Sequence, residues 1–151
     1  MLPEWIDYNG HVRDAYYGLI ASSACDALMD RIGVDAAYRE RTHCTLYTLE
    51  MHVHYLSEVK QSDWVTVEVT VLGSDAKRLH AGFTLRCTRD GTVASTVEFM
   101  LLHVRQGAAP GSAPFPPEVA AAIATLAAAA PAASFGPGSR ALGLAGGGAR
   151  K

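Results

Sequence analysis

From residue 13 to residue 32 the apolar positions Ala15, Tyr16, Leu19, Ile20, Ala24, Ala27, Leu28 and Ile32 recur at helical spacing. The one consistently polar line, Gly18, Ser22, Asp26 and Asp30, steps by four. A narrow wet stripe on an otherwise apolar cylinder predicts a helix over 13–32, buried on most sides and stopped by Gly33. Residues 34–43, rich in Asp, Arg and Glu, read as a solvated connection. Beyond them the period changes to two. Thr45, Tyr47, Leu49, Met51, Val53 and Tyr55 alternate with Leu46, Thr48, Glu50, His52 and His54. Val65, Val67, Val69 and Val71 alternate with Trp64, Thr66, Glu68 and Thr70. Leu79, Ala81, Phe83, Leu85 and Cys87 then face away from Arg78, His80, Gly82, Thr84 and Arg86. A last stretch, 92–104, sets Val93, Val97, Phe99 and Leu101 against Thr96, Glu98 and Met100. Alternation this regular predicts antiparallel strands with one buried face.

Asp90-Gly91 marks a hairpin between the third and fourth strands, and residues 73–77 loop between the second and third. Met100, Leu101 and Leu102 make the fourth strand apolar on both faces, which suits a central strand or one buried against a second copy. One long apolar helix and four antiparallel strands imply a sheet curled around the helix, because a flat sheet would leave the helix's second apolar side wet. The edges of such a half-barrel favour a dimer that continues the sheet. After Arg105 come an Ala/Gly/Ser/Pro linker, 106–114, and a short helix over 117–130 with Val119, Ile123 and Leu126 on one face. Residues 131–151 are dominated by Gly, Ala and Pro and are expected to be disordered.

Composition narrows the classes. A chain of 151 residues, 49% hydrophobic and 19% charged, is expected to form one globular domain. A net charge of −2 gives no support for nucleic acid or an anionic membrane surface as partner. No apolar run approaches the roughly 20 residues of a membrane span, and no basic-then-apolar leader opens the chain. Cys25, Cys44 and Cys87 are odd in number and far apart, which points to inert core thiols in a reducing compartment and a cytoplasmic protein.

The candidate chemistry sits just ahead of the helix. Asp7, Asn9 and His11 fall within five residues, with Gly10 permitting a turn that a Cβ would resist. From the residues alone Asp7 reads first as a turn-capping residue and only second as a working carboxylate. Asn9 can orient a water or a carbonyl, or stabilise the turn; His11 can hold Asp7, donate to a ligand, or be structural. Glu50, His52 and His54 share a strand face and invite a metal reading. Spacing supplies no fourth ligand, so an outer or dimer-facing surface is preferred and no metal is expected.

The run Asp7-Tyr8-Asn9-Gly10-His11-Val12-Arg13-Asp14-Ala15-Tyr16-Tyr17 resembles the active-site turn of hotdog acyl-CoA thioesterases of the 4-hydroxybenzoyl-CoA thioesterase-like branch, where an Asp lies three residues before a Gly that leads into the central helix. The wider string Pro3 to His11, with Tyr47-Thr48-Leu49-Glu50 and Lys77-Arg78-Leu79-His80, is similar to the betainyl-CoA thioesterases linked to carnitine breakdown. The resemblance covers residues 3–105. It implies an α+β hotdog fold over 1–105, a curved antiparallel sheet around one long central helix. The linker and Ala-rich helix of 106–130 and the tail of 131–151 would lie outside that domain. By the same resemblance, the family's opening strand is expected to be short or missing here.

The activity implied is hydrolysis of a small acyl-CoA, betainyl-CoA first, to free acid and CoA. Asp7 would act as general base or nucleophile and the backbone N–H of Asp14 would be the oxyanion donor, with Asn9 and His11 beside them. Gly10, Trp5, Tyr8, Tyr17, Tyr47 and Glu50 would contact substrate. If the acyl group carries a quaternary ammonium, the aromatic residues Trp5, Tyr8, Tyr16, Tyr17 and Tyr47 could surround it, although core packing explains most of them as well. Lys77 and Arg78 would meet the phosphates of CoA. No cofactor is implied beyond the CoA of the substrate, and the partner would be a second copy, as homodimer or homotetramer. The alternative is a non-catalytic hotdog module that binds acyl-CoA or only dimerises. A hotdog dehydratase is disfavoured, since that branch relies on a His with a carboxylate on the helix, a pattern absent here.

Overall fold

The computed structural model describes residues 1–130 and Phe135. The period-two stretches form four antiparallel strands: β1 (Cys44–Tyr55), β2 (Val65–Ser74), β3 (Arg78–Cys87) and β4 (Val93–Arg105). Their order across the sheet is β1-β4-β3-β2, and β5 (Gly111–Ser112) returns to pair with the end of β4. The strand that is apolar on both faces is therefore a central one. The Asp90-Gly91 hairpin forms as read: Gly91 takes φ +73, and Thr92 N–H donates to Asp90 Oδ1 at 3.0 Å. The expected disorder of 131–151 lies outside the described residues, except at Phe135. Its ring sits so close over Gly82 that a Cβ there would lie 2.5 Å from it.

The central helix is α1 (Asp14–Arg31), which lies on the concave side and touches all four strands. Its packing corrects the helical-wheel reading. Tyr17, Gly18, Ala21, Cys25, Leu28 and Met29 are buried, whereas Ala15, Leu19 and Ala27 are exposed. The sheet covers one side of the helix only, not most of them. Gly18, read as part of the wet stripe, is at the contact: a Cβ there would come within 3.2 Å of Met51 Cε, so the small residue lets β1 approach closely.

Strand β1 carries a second correction. Its register against β4 shifts between Thr48 and Glu50, leaving Leu49 bulged. A one-residue slip exchanges faces. Met51 and Val53 pair with the core residues Phe99 and Val97, while Glu50, His52 and His54 sit opposite Met100, Glu98 and Thr96 on the outer face. The unbroken alternation read from Thr45 to Tyr55 therefore changes face midway. Tyr47, Leu49, Met51 and Tyr55 are each about half exposed along this edge strand.

Residues 34–43 are not merely a solvated connection. Asp35 caps α2 (Ala36–Thr42) by accepting from Tyr38 N–H at 2.8 Å, and Tyr38 is buried. The charges of Arg39, Glu40 and Arg41 mask an apolar line that has only Val34 and Tyr38 to show it. The Tyr38 hydroxyl meets His103 Nε2 at 2.8 Å, while His103 Nδ1 meets the Ala113 carbonyl at 2.9 Å. A carbonyl only accepts, so Nδ1 carries the proton and Nε2 receives the Tyr38 hydroxyl. Tyr38→Phe leaves a fully buried acceptor unpaired and is expected to cost about 1–3 kcal/mol, read as a lower denaturant midpoint with unchanged slope. Finally, α3 (Pro117–Ala129) buries Val119 and Ile123 in the same core as the strands.

Candidate active site

The segment ahead of α1 is folded back on itself. After the 3-10 turn Pro3–Trp5, Ile6 bridges Val12, and Val12 N–H donates to the Val59 carbonyl at 2.8 Å. Between them residues 7–11 form a tight turn in which Asp7 N–H donates to the His11 carbonyl at 2.8 Å. Gly10 takes φ +83, the left-handed conformation that its lack of a Cβ allows. The Asp7 carboxylate holds this turn: its Oδ1 accepts from the backbone N–H of Asn9 at 2.8 Å and of His11 at 3.1 Å. The Asn9 side-chain amide approaches Oδ2 at 3.5 Å. The capping role is therefore real, and it fixes the carboxylate. The His11 N–H bond, with the bonds from Asn9, holds the Asp7 carboxyl below its usual range, partly offset by burial.

His11 links the turn to a cleft. Its Nε2 lies 3.0 Å from Glu58 Oε2. Glu58 lines a cleft of about 310 Å³ with Val12, Asp14, Tyr17, Tyr55, Leu56 and Ser57, at the N-terminus of α1. Arg13, at the N-cap, contributes no side-chain cap. Ala15 N–H is taken by Asp14 Oδ1 at 2.8 Å and Tyr16 N–H by the Arg13 carbonyl at 3.1 Å. The Asp14 N–H, first of the helix, has no acceptor among the described residues. A free amide at the positive end of a helix dipole can receive a developing oxyanion.

Two rings form one wall of the cleft. Tyr17 and Tyr55 stand edge to face, with centroids 5.3 Å apart and planes at 88°. The Tyr55 hydroxyl donates to the Asp14 carbonyl at 3.2 Å, and the Tyr17 hydroxyl receives the Val59 N–H at 3.2 Å. Burial raises the pKa of both phenols, with the neighbouring carboxylates Glu58 and Asp14 adding to Tyr17 and Tyr55 respectively, so both stay neutral.

The structure brings together Asp7, Asn9, Gly10 and His11 in the turn, and Asp14 with Tyr17 in the cleft. Other residues lie elsewhere in the chain. Trp5 stacks on Tyr16, centroids 5.0 Å apart, and lines a separate apolar hollow with Leu2, Ile20 and Trp64. Tyr8 is 95% exposed at the tip of the turn. The Tyr47 hydroxyl receives a bond from Gln106 Nε2 at 3.1 Å, and Glu50 is exposed on the same edge strand. Lys77 reaches Ser112 Oγ at 3.1 Å and Arg78 pairs with Asp75 at 2.6 Å, both where β3 begins. Arg78 pairs with Leu102, whereas the cleft lies beyond Tyr55, whose partner is Ser95; the two places are at opposite ends of the sheet. No cluster of His, Cys, Asp or Glu with metal-holding geometry occurs among the described residues.

Sequence reading missed Tyr55, Ser57 and Glu58. In the sequence Tyr55 only continues an alternating strand, and Leu56-Ser57-Glu58 lies between strands. The only available signal was the break in alternation after Tyr55.

A curved sheet over one long helix, with a carboxylate-bearing turn feeding that helix's N-terminus, defines a hotdog thioesterase. The comparisons agree. The family model that matches residues 1–123 is the thioesterase-like superfamily. A betainyl-CoA thioesterase of Pseudomonas aeruginosa is 47% identical over 127 residues, covering 84% of this chain and 79% of the relative. A Staphylococcus aureus protein solved in complex with CoA is 37% identical, with a TM-score of 0.81 over 87% of this chain and 82% of that one. A candidate thioesterase from Pseudomonas putida is 43% identical, with a TM-score of 0.75 over 85% and 81% of the two chains. The chain belongs to the thioesterase-like superfamily. Its enzyme class is thioester hydrolase. No helix among the described residues is long and apolar enough to cross a membrane.

Proposed function

We propose that this protein hydrolyses a small acyl-CoA, betainyl-CoA first, to the free acid and CoA. The observation that carries the reading is a turn-fixed carboxylate, Asp7, in the turn that leads into a helix whose first amide has no acceptor among the described residues; the similarity to the Pseudomonas aeruginosa enzyme directs it to betainyl-CoA. Asp7 either takes a proton from the attacking water or attacks the carbonyl carbon itself. As the C–O bond forms, the carbonyl oxygen gains negative charge, and the Asp14 N–H stabilises it. Collapse breaks the C–S bond, the sulfur leaves as thiolate and is protonated, and the acid is released, directly or after water cleaves the Asp7 anhydride. Asn9 and His11 hold the carboxylate. The reaction needs no cofactor beyond the CoA of the substrate.

In this reading the working unit is a homodimer or homotetramer. Asp7 does not line the cleft within one protomer, and β1 is an apolar edge that invites a second copy. Antiparallel pairing of β1 with itself sets the Tyr47 end of one copy against the Tyr55 end of the other. It therefore moves Tyr47, Glu50 and the Lys77-Arg78 end toward the cleft. A cytoplasmic, reducing setting suits the three buried thiols, of which Cys25 is pushed up to about 11 by burial.

Thiol release from a panel of acyl-CoAs, with betainyl-CoA and 4-hydroxybenzoyl-CoA among them, tests the substrate. The expected result is a strong betainyl preference; equal rates across the panel would remove that assignment. The pH profile tests the carboxylate. Because Asp7 is held below the usual carboxylate range, its charge persists at neutral pH and is lost only as pH falls through its folded value. The acid limb of kcat/KM is expected below the ordinary aspartate pKa of about 3.9. Any stability that the turn draws from the charge disappears over the same window. An acid limb near pH 6 would show that Asp7 is not the essential group.

A further inference from the structure

The reading above leaves open what selects the acyl group, since most of the aromatic residues expected to surround it lie outside the cleft. The cleft has its own composition. Among the described residues its lining contains two aromatic rings at right angles, two carboxylates, and no Lys or Arg. Tyr17 is 5% exposed and serves as a fixed wall; Tyr55 is 51% exposed and offers an open ring. The Tyr55 ring is tied down through its hydroxyl bond to the Asp14 carbonyl, at the first residue of the helix. Glu58 is held over the same space by His11, which binds Oε2 only.

We infer that the Tyr17–Tyr55 corner, closed by Glu58, is the acyl-selecting part of the cleft and takes a fully alkylated ammonium group. The inference rests on the thioesterase reading, because it places the acyl chain beside the Asp14 amide. An alkylated ammonium has no N–H to donate, so ordinary hydrogen-bond acceptors cannot recognise it. Ring faces and carboxylates can, through the ring quadrupole and Coulomb attraction. The same carboxylates disfavour a neutral acyl group, which would desolvate them without compensation, and repel an anionic one. The volume suits a compact head of one nitrogen and three methyl groups on a short acyl stem. Of the aromatic residues expected to surround such a head, Tyr17 alone lies here; Tyr55 and Glu58 replace the others. These are specificity residues and leave the bond-breaking groups untouched.

The test uses a pair of thioesters that differ only in charge: betainyl-CoA and 3,3-dimethylbutyryl-CoA, in which carbon replaces the quaternary nitrogen. Both are offered to the full chain and to Tyr55→Leu, Tyr55→Phe and Glu58→Gln, each checked for an unchanged unfolding transition. The wild type is expected to prefer the cation in kcat/KM. Tyr55→Leu is expected to shrink that preference about tenfold and Glu58→Gln about threefold, from the usual strengths of ring–cation and exposed charge–charge contacts. The neutral thioester should change little, and Tyr55→Phe, which keeps the ring, should keep the preference. Equal rates for the two thioesters in the wild type, or a preference that survives both Tyr55→Leu and Glu58→Gln, would overturn the inference. If neither thioester is cleaved, the hydrolase reading fails first; the affinity ratio of the same two intact thioesters, wild type against variants, then decides the corner by the same criteria.

Discussion

Asp7→Asn is expected to lower thiol release by two to four orders of magnitude, the usual contribution of a positioned acid–base or nucleophilic group, with CoA affinity almost unchanged. The substitution is a sharp one here. The turn bonds from Asn9 N–H and His11 N–H both go to Oδ1, which an Asn side-chain oxygen can still accept. What the variant loses is the negative charge and the ability to take a proton or attack carbon. Asp7→Ala, by contrast, also frees both turn amides, so its loss mixes chemistry with folding. Full activity in Asp7→Asn would show that the carboxylate only caps the turn. Capping would then be the whole of its role.

Phe83→Ala is expected to cost about 3–5 kcal/mol, enough to threaten the fold of a domain this size. Phe83 is fully buried on β3, points to the helix side of the sheet with Val97 across on β4, and packs on Phe99 with ring centroids 5.1 Å apart. Truncation leaves a cavity in the middle of the sheet, where strands on either side cannot collapse to fill it. The readout is the urea midpoint, with thiol release per folded molecule unchanged because the cleft lies at the end of α1. A loss under about 1 kcal/mol would contradict the central position given to this ring.

The strands were legible because each obeys a physical alternation, and the order β1-β4-β3-β2 was partly legible from Met100, Leu101 and Leu102. The helix was legible as a helix but not in its orientation. Gly18 is buried because close approach to Met51 outweighs its lack of side chain, and a hydropathy wheel does not measure fit. Leu49 hides a bulge, since one extra residue in an apolar run looks like continued alternation and yet exchanges the faces on either side. The turn could be read from Asp7, Asn9 and Gly10, because short polar residues before a helix have few other uses. The cleft could not. Tyr55 and Glu58 meet Asp14 and Tyr17 across about forty residues of sequence, a juxtaposition made by the sheet's curvature rather than by local spacing.

Repeated turnover of betainyl-CoA by the full chain is the measurement that bears most directly on the account. Free CoA is followed by thiol reagent, with betainyl-CoA in large excess over protein. The account predicts many equivalents of thiol per chain at a saturable rate, with betaine as the matching product. Saturable binding of betainyl-CoA or CoA with no thiol released beyond the uncatalysed background would contradict it, and would leave a module that binds the thioester without cleaving it.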